Sequence, residues 1–566
     1  MAVKIARPAR QRARESARRR HTRWLVPVAV GAACAGLLWC YTRLSATFPA
    51  GSDAASNALE AWDLLHGNWL LHGWTLTDVS FYPTELPEYA LVELAHGLNA
   101  GTAHLSAALT YTALVGAAAL LARGRSRGAE GWTRALVAAG IMIGPQLGNG
   151  VHVLLGQPDH VGTQVLILAA WLLLDRGPRR WPAVAGCWAL LAVATVADKI
   201  TLVDAVVPLA FGALLHAVWT RRPSARRFEL SLAVAAGAAA GTGLLALTLI
   251  SHAGGFILLP VETGLAAPGS VPGHLALAWH GVLSLFGADV TAAPAGPQTV
   301  LAWLHAPGIA LAVAAFAVVA WHLPRQHDLV SDVLAVAIVV NMAGFAASVI
   351  PATPFDTREI AALLPFGAVL AGRVFGPMLA ASPAGAAALA AAGACQLAAL
   401  GYATAQPPAP DPAQVLASWL TAHHLTCGLG TFSEDNITTL DSGGAVRMLT
   451  VSWLPPAGPV RPPQDPGRRQ PLAAPPAGPL PAVAVPRLYQ SSASWYGPRR
   501  CDANFVVTGS AGGTADLIPG GEILALGGPP AHIYQVGSFS VLVWNTNLLP
   551  RLGTTPSRLP GDIGHP

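Results

Sequence analysis

Few carboxylates interrupt this apolar chain, and several gather early. Residues 50–93 read AGSDAASNALEAWDLLHGNWLLHGWTLTDVSFYPTELPEYALVE, with Asp53 near the start and Asp78, Glu85 and Glu88 following. A carboxylate within hydrogen-bond reach of a hydroxyl can take its proton as the oxygen attacks a carbon. Asp53, Glu85 and Glu88 are therefore the candidate catalytic acids and bases. Arg358 in PATPFDTRE is one of the few basic residues predicted outside, and Lys199 after Asp198 is a second candidate. A guanidinium suits bidentate contact with a phosphate, so Arg358, then Lys199, is the candidate substrate ligand. Asp78 and His160, the last residue of GQPDH, complete the polar set.

Each of these residues has a plainer use. Asp is a favoured helix N-cap. Glu85 and Glu88 fall in the first turn of a helix expected to start at Thr84, where the helix dipole favours acids. Arg358 can pair with Asp356 or Glu359, and Lys199 with Asp198. His160 and Asp159, with His66 or His72, could hold a divalent metal, but their spacing is not diagnostic. No CxxC or Cys/His spacing marks zinc.

The elements that must position these residues are membrane helices. Charged residues are 11% of the 566, against about 25% in soluble domains, and mean hydropathy is +0.47. This is the composition of an integral membrane protein. The net charge of +5 lies in short arginine blocks between apolar runs, which excludes a basic nucleic-acid face. The runs are 24–44, 105–122, 135–155, 161–174, 182–197, 202–219, 230–250, 301–323, 330–350, 360–374 and 378–402. About 20 apolar residues span a bilayer; the fourth and tenth runs are short. Arginines recur at every second loop: Arg123 to Arg127, Arg176 to Arg180, Arg221 to Arg227, Arg325, Arg373. By the positive-inside rule this predicts about eleven spans in the cell membrane, the N-terminus cytoplasmic and the C-terminus outside. The basic segment 1–23 precedes the first run as in a signal peptide, but no small-x-small site follows, so an uncleaved first helix is expected.

Two long outer loops result, 45–104 and 251–300. In the first, Ala55, Leu59, Trp62, Leu65 and Trp69 recur at helical spacing, which predicts a helix lying in the interface plane. In the second, 274–286 is expected along the membrane surface. Asp204 sits inside an apolar run, where an acid faces a cavity or a partner. Residues 407–566 read as a small extracytoplasmic α/β domain. It has a helix at 413–425, strands at 446–454, 504–508 and 538–544, and a Pro-rich linker at 455–486. Cys427 and Cys501 can pair there if that side is oxidising; Cys34, Cys40, Cys187 and Cys395 lie in apolar runs as small hydrophobes.

A first helix from the inside, an acid just past it in GSDAASN, and a long outer loop with two interfacial helices resemble the GT-C superfamily of glycosyltransferases, in an actinobacterial-like form. The many-helix body and the outer C-terminal domain fit the same pattern. The resemblance implies transfer of a sugar from a polyprenyl-phosphate carrier to an envelope glycan, lipid or protein on the outer face. By position it makes Asp53 the general base, with membrane lipid as a further partner and no nucleic acid. The adjacent acidic pair common in that superfamily is absent after the first helix. The second acid would come from Asp78, Glu85 or Glu88, and a divalent metal is a possible cofactor. Two other readings use the same residues: a transporter or flippase, and a non-catalytic envelope scaffold. Transporters often carry internal repeats and broken helices; no repeat is visible here.

Overall fold

The computed structural model describes residues 9–156, 160–177, 180–260, 264–323, 328–453, 484–497, 501–509 and 520–553. The helical body opens with α1 (Ala9–Ser45), α2 (Ser52–Leu65), strand β1 (Trp74–Leu76), α3 (Glu85–His96), α4 (Ala100–Arg123) and α5 (Gly128–Met142). A single turn, α6 (Asn149–Val151), continues into a wide turn at His152–Gly156. Then come α7 (Val161–Arg176), α8 (Trp181–Ala197) and a wide turn Leu202–Val206 that runs into α9 (Val207–Trp219). The body closes with α10 (Pro223–His252), β2 (Ile257–Leu258), α11 (Val271–Leu285), α12 (Pro297–His322), α13 (Leu329–Ala347), a 3-10 turn Pro354–Ile360, α14 (Leu363–Ala380) and α15 (Pro383–Thr404).

This is a polytopic helical membrane fold. Among the described residues, eight helices are long and apolar enough to cross a membrane. The shortfall from eleven lies in three runs. The one expected at 135–155 is broken after Met142, because Pro145 lacks an amide hydrogen and Gly148 sits at φ +87°, a conformation most residues resist. At the break the Gln146 side chain exchanges two hydrogen bonds with the Asp289 backbone, at 2.8 and 3.0 Å. The other two runs form α7 and α8, of 16 and 17 residues. Large apolar side chains such as Trp39, Trp303 and Trp321 are exposed on the outside of the bundle, as expected where the solvent is lipid rather than water.

Arg373, expected only as a cytoplasmic anchor, is nearly buried. Its guanidinium meets Asp175 and Asp328 at 2.8 Å each and the Leu121 carbonyl at 3.0 Å, tying α14 to the ends of α4 and α7 and to the start of α13. A buried cation is tolerated when paired and hydrogen-bonded in this way.

The C-terminal part adds α16 (Pro412–Ala422), β3 (Cys427–Gly430), α17 (Phe432–Asp441), β4 (Arg447–Trp453), β5 (Ala484–Pro486), β6 (Ser491–Ser492), β7 (Phe505–Thr508), α18 (Gly520–Gly527), β8 (His532–Val536) and β9 (Phe539–Val543). Asp411 caps α16, accepting from the Gln414 amide at 3.2 Å. Six strands form one sheet in the order β5-β4-β3-β7-β9-β8. The expected strands appear as β4, β7 and β9. β5 corrects the linker reading, since it pairs antiparallel with β4; its Pro486 is accommodated because β5 is an edge strand. Residues 455–483 of that linker lie outside the described residues. Cys427 and Cys501 form a disulfide, Cα to Cα 6.0 Å.

A second, three-stranded sheet has the order β2-β1-β6. Both outer loops and the C-terminal part each supply one strand, with Trp74 opposite Ser492. The polar loops and the C-terminal part are therefore one packed structure at one end of the bundle.

Candidate functional site

The N-cap of α2 is Gly51, not Asp53. Asp53 sits in the first turn, where its charge suits the helix dipole. The face of α2 behind it is built of Ala54, Ala55, Ser56, Ala58 and Ala61, all buried. These small side chains allow α17 to pack directly on α2. That corrects the expected interfacial helix: Ala55 and Leu59 are covered by protein, and Trp69 lies beyond the helix end, exposed.

Asp53 borders a cavity of about 30 Å³. Asp78 reaches it from the loop after β1, which is pinned to the end of α8. The Ser80 amide donates to the Ala197 carbonyl at 2.9 Å, and the Ser80 hydroxyl to the Val196 carbonyl at 2.6 Å. Burial, and after it the nearby Glu359, raise Asp78 above the usual carboxylate range.

Arg358 and Glu359 line the cavity from the turn Pro354–Ile360. Thr353 and Asp356 form a capping box there, and the Asp356 carboxylate accepts from the Thr353 amide at 2.6 Å. The Arg358 guanidinium lies 4.3 Å from the Phe355 ring centroid. That ring stacks on His152 at 4.5 Å, which stacks on Phe48 at 4.1 Å. A cation over such a ring is held electrostatically, so a ladder of rings from the end of α1 supports one face of the guanidinium. Its Nε is 3.6 Å from Glu359 Oε1.

His160 caps α7 in a left-handed conformation, φ +56°, and its side chain is 5% exposed. Nδ1 is 2.6 Å from Asp198 Oδ2 and Nε2 3.3 Å from Glu359 Oε1. Burial alone would push the imidazole down; Asp198 and Glu359 instead hold it well above its ordinary pKa. Two carboxylates facing both nitrogens make it an imidazolium that donates twice. Burial likewise opposes ionisation of Glu359, and His160, then Arg358, hold its carboxyl below the usual range.

The last wall comes from the C-terminal part. Tyr489 and Gln490 line the cavity. The Tyr489 ring meets Phe432 edge-on at 4.8 Å and lies under the Arg487 guanidinium at 5.3 Å. Burial, then Asp53, push its phenol far above the ordinary value, so it stays a neutral donor. Gln490 is left-handed, φ +46°, and its carbonyl accepts from Asn436 Nδ2 at 2.9 Å.

Asp53, Asp78, His160 and Arg358 thus meet at one cavity; Glu85, Glu88 and Lys199 do not line it. Glu85 is buried at the start of α3, bonded to the Thr84 hydroxyl and packed where a Cβ on Gly162 would stand. Burial pushes it to about 8. Glu88 accepts from the Thr110 hydroxyl at 2.8 Å, and burial pushes it to about 7. Lys199 sits in the turn after α8 and makes no ion pair among the described residues; Asp198 bonds His160 and the Ile200 amide instead. Asp204 is buried and accepts from Gln164. Asp159 lies outside the described residues. His66 and His72 are tied to the Trp62 and Gly254 carbonyls, away from His160. No group of three His, Cys, Asp or Glu among the described residues is arranged to hold a metal, and both His160 nitrogens already face carboxylates.

Sequence reasoning did not single out Glu359, Asp198, Tyr489 or Gln490 for this site. Glu359 and Asp198 were visible only as neighbours of a cation, and nothing local marks Tyr489.

No family model matches the chain, and no curated protein matches it in sequence. Among solved structures, the crystal structure of ArnT from Cupriavidus metallidurans bound to undecaprenyl phosphate aligns with 94% of this chain and 100% of that one, at 13% identity and a TM-score of 0.50. The apo structure of the same protein aligns over the same shares at 15% identity and a TM-score of 0.44. The first match shows a shared fold over nearly the whole chain. It lends nothing to the actinobacterial cast of the sequence resemblance.

Proposed function

We propose, from the GT-C fold that this chain shares with ArnT, that it is a membrane glycosyltransferase using a polyprenyl-phosphate-linked sugar. The observation that carries this reading is that Asp53 and Arg358 border the same cavity, a base and a phosphate ligand within one chamber. The ArnT structure was solved with undecaprenyl phosphate bound, which is the leaving group such a donor would release.

The chemistry follows from the side chains. The acceptor hydroxyl loses its proton to Asp53 as its oxygen bonds to the anomeric carbon. The bond from that carbon to the phosphate oxygen breaks, and the electron pair leaves with the polyprenyl phosphate. Arg358 meets the charge that grows there; a preoriented cation in a water-poor site stabilises such charge strongly. One displacement inverts the anomeric centre. Asp78, whose carboxyl burial raises above the usual range, lines the same cavity and fits a sugar hydroxyl, and we assign it the second-acid role rather than Glu85 or Glu88. The arginine pattern supports an extracytoplasmic position for this end of the bundle, and with it an envelope glycan, lipid or protein as acceptor.

A cavity of about 30 Å³ accommodates a water molecule or so and no sugar. A wall must therefore shift for substrate to reach Asp53, and we assign that shift to the segment bearing Tyr489 and Gln490. The test is transfer from radiolabelled polyprenyl-phospho-sugars to envelope acceptors. Asp53→Asn should lower kcat by about 10²- to 10⁴-fold with membrane insertion intact. Full activity in that variant rejects the base assignment.

A further inference from the structure

We infer that Asp198, His160 and Glu359 form a charged clamp that sets the position of Arg358, which makes His160 a positioning residue rather than a ligand of substrate or metal. The inference rests on the proposed phosphate role of Arg358.

Both imidazole nitrogens are occupied, by Asp198 at 2.6 Å and Glu359 at 3.3 Å. Neither has a lone pair to offer a metal or a proton, and the side chain is buried. Its link to Arg358 therefore passes through Glu359, whose Oε1 also faces Arg358 Nε. One carboxylate oxygen links the imidazolium to the guanidinium. On the far side, Phe355 and the ring ladder behind it fix the other face of Arg358. The guanidinium is held between these two supports.

The clamp joins three elements: the head of α7, the end of α8 and the turn Pro354–Ile360. Asp198 is fixed by the Ile200 amide, which donates to its Oδ1 at 2.9 Å. The charged groups around the imidazole come from every neighbour. Asp78, on the loop after β1, responds to both His160 and Glu359. Asp204, in the turn before α9, is buried and accepts from Gln164. Glu85, on α3, responds to Asp198. The imidazolium charge thus offsets the Asp198 and Glu359 carboxylates that contact it beside Arg358. Without its charge, Glu359 and Asp78 repel, and Glu359 loses one of the two cations that hold it.

The test uses the full chain in nanodiscs with undecaprenyl phosphate as the probe. His160→Gln and His160→Asn remove the charge while keeping an amide donor; two variants guard against a folding defect in one. Each should weaken binding about tenfold, and the loss should vanish in an Arg358→Gln background, because coupled residues are non-additive. Wild-type affinity should fall as pH rises above 7.5 toward the imidazolium's titration, where the probe's own second ionisation, near 6, is complete. The His160 variants should show no such fall. Equal losses in both backgrounds, or unchanged binding, overturn the clamp. If Arg358→Gln binds the probe as wild type does, the phosphate reading fails instead. The clamp is then decided by a cryo-EM map of His160→Gln. A guanidinium displaced from Phe355 supports it, and one left in place overturns it.

Discussion

Asn436 Nδ2 donates to Ser56 Oγ at 2.7 Å, joining α17 to α2 across 380 residues of sequence. The same amide donates to the Gln490 carbonyl, so one side chain links the helix of Asp53 to the segment of Tyr489. Asn436→Ala removes both bonds and strands a buried carbonyl, a cost of about 1–3 kcal/mol. Hydrogen exchange should rise in 487–492 and in the first turns of α2, with the membrane helices unchanged. Unaltered exchange at 487–492 would show that Asn436 does not hold that segment.

Arg358→Lys keeps the charge but loses the planar fork and its fit over Phe355, a replacement that is not conservative at a stacked or bidentate site. Undecaprenyl phosphate should bind about tenfold more weakly, as expected for loss of roughly 1.4 kcal/mol, and Arg358→Gln more weakly still. Equal affinity in Arg358→Lys and wild type would mean that the fork makes no contact with phosphate.

Glu85 tests a different role. Its carboxyl is pushed from 4.5 to about 8 in the fold, so the folded state keeps a proton that the unfolded chain releases. The stability tied to it is full below about pH 4.5, declines as pH rises toward 8 and is level above. Glu85→Gln cannot ionise. Its Tm should therefore gain on wild type between pH 5 and 8, with transfer activity within about threefold, well short of the loss expected for an acid or base catalyst. A hundredfold loss of activity would return Glu85 to the reacting groups.

The helical body was largely legible because lipid demands long apolar runs and arginines punctuate their ends. The break at Gly144 to Gly148 is written in GPQLGNG, yet a hydropathy window averages across it. Asp53 stood out by its place after the first run. Its companions did not, because their association is non-local. His160 meets Asp198 and Glu359 across 38 and 199 residues, with no periodicity to announce it. Tyr489 lies next to a Pro-rich stretch that reads as linker, and only the strand pairing of β5 and β6 carries it to the site. The burial of α2 was missed for the same reason, since the helix that covers it is α17.

The most direct measurement is a cryo-EM structure of the full chain in nanodiscs with undecaprenyl phosphate. The account predicts phosphate density within hydrogen-bond reach of the Arg358 guanidinium, with Asp53 facing the same opened chamber and the Tyr489 segment displaced. Phosphate bound elsewhere, with the Asp53 cavity still closed, would contradict it.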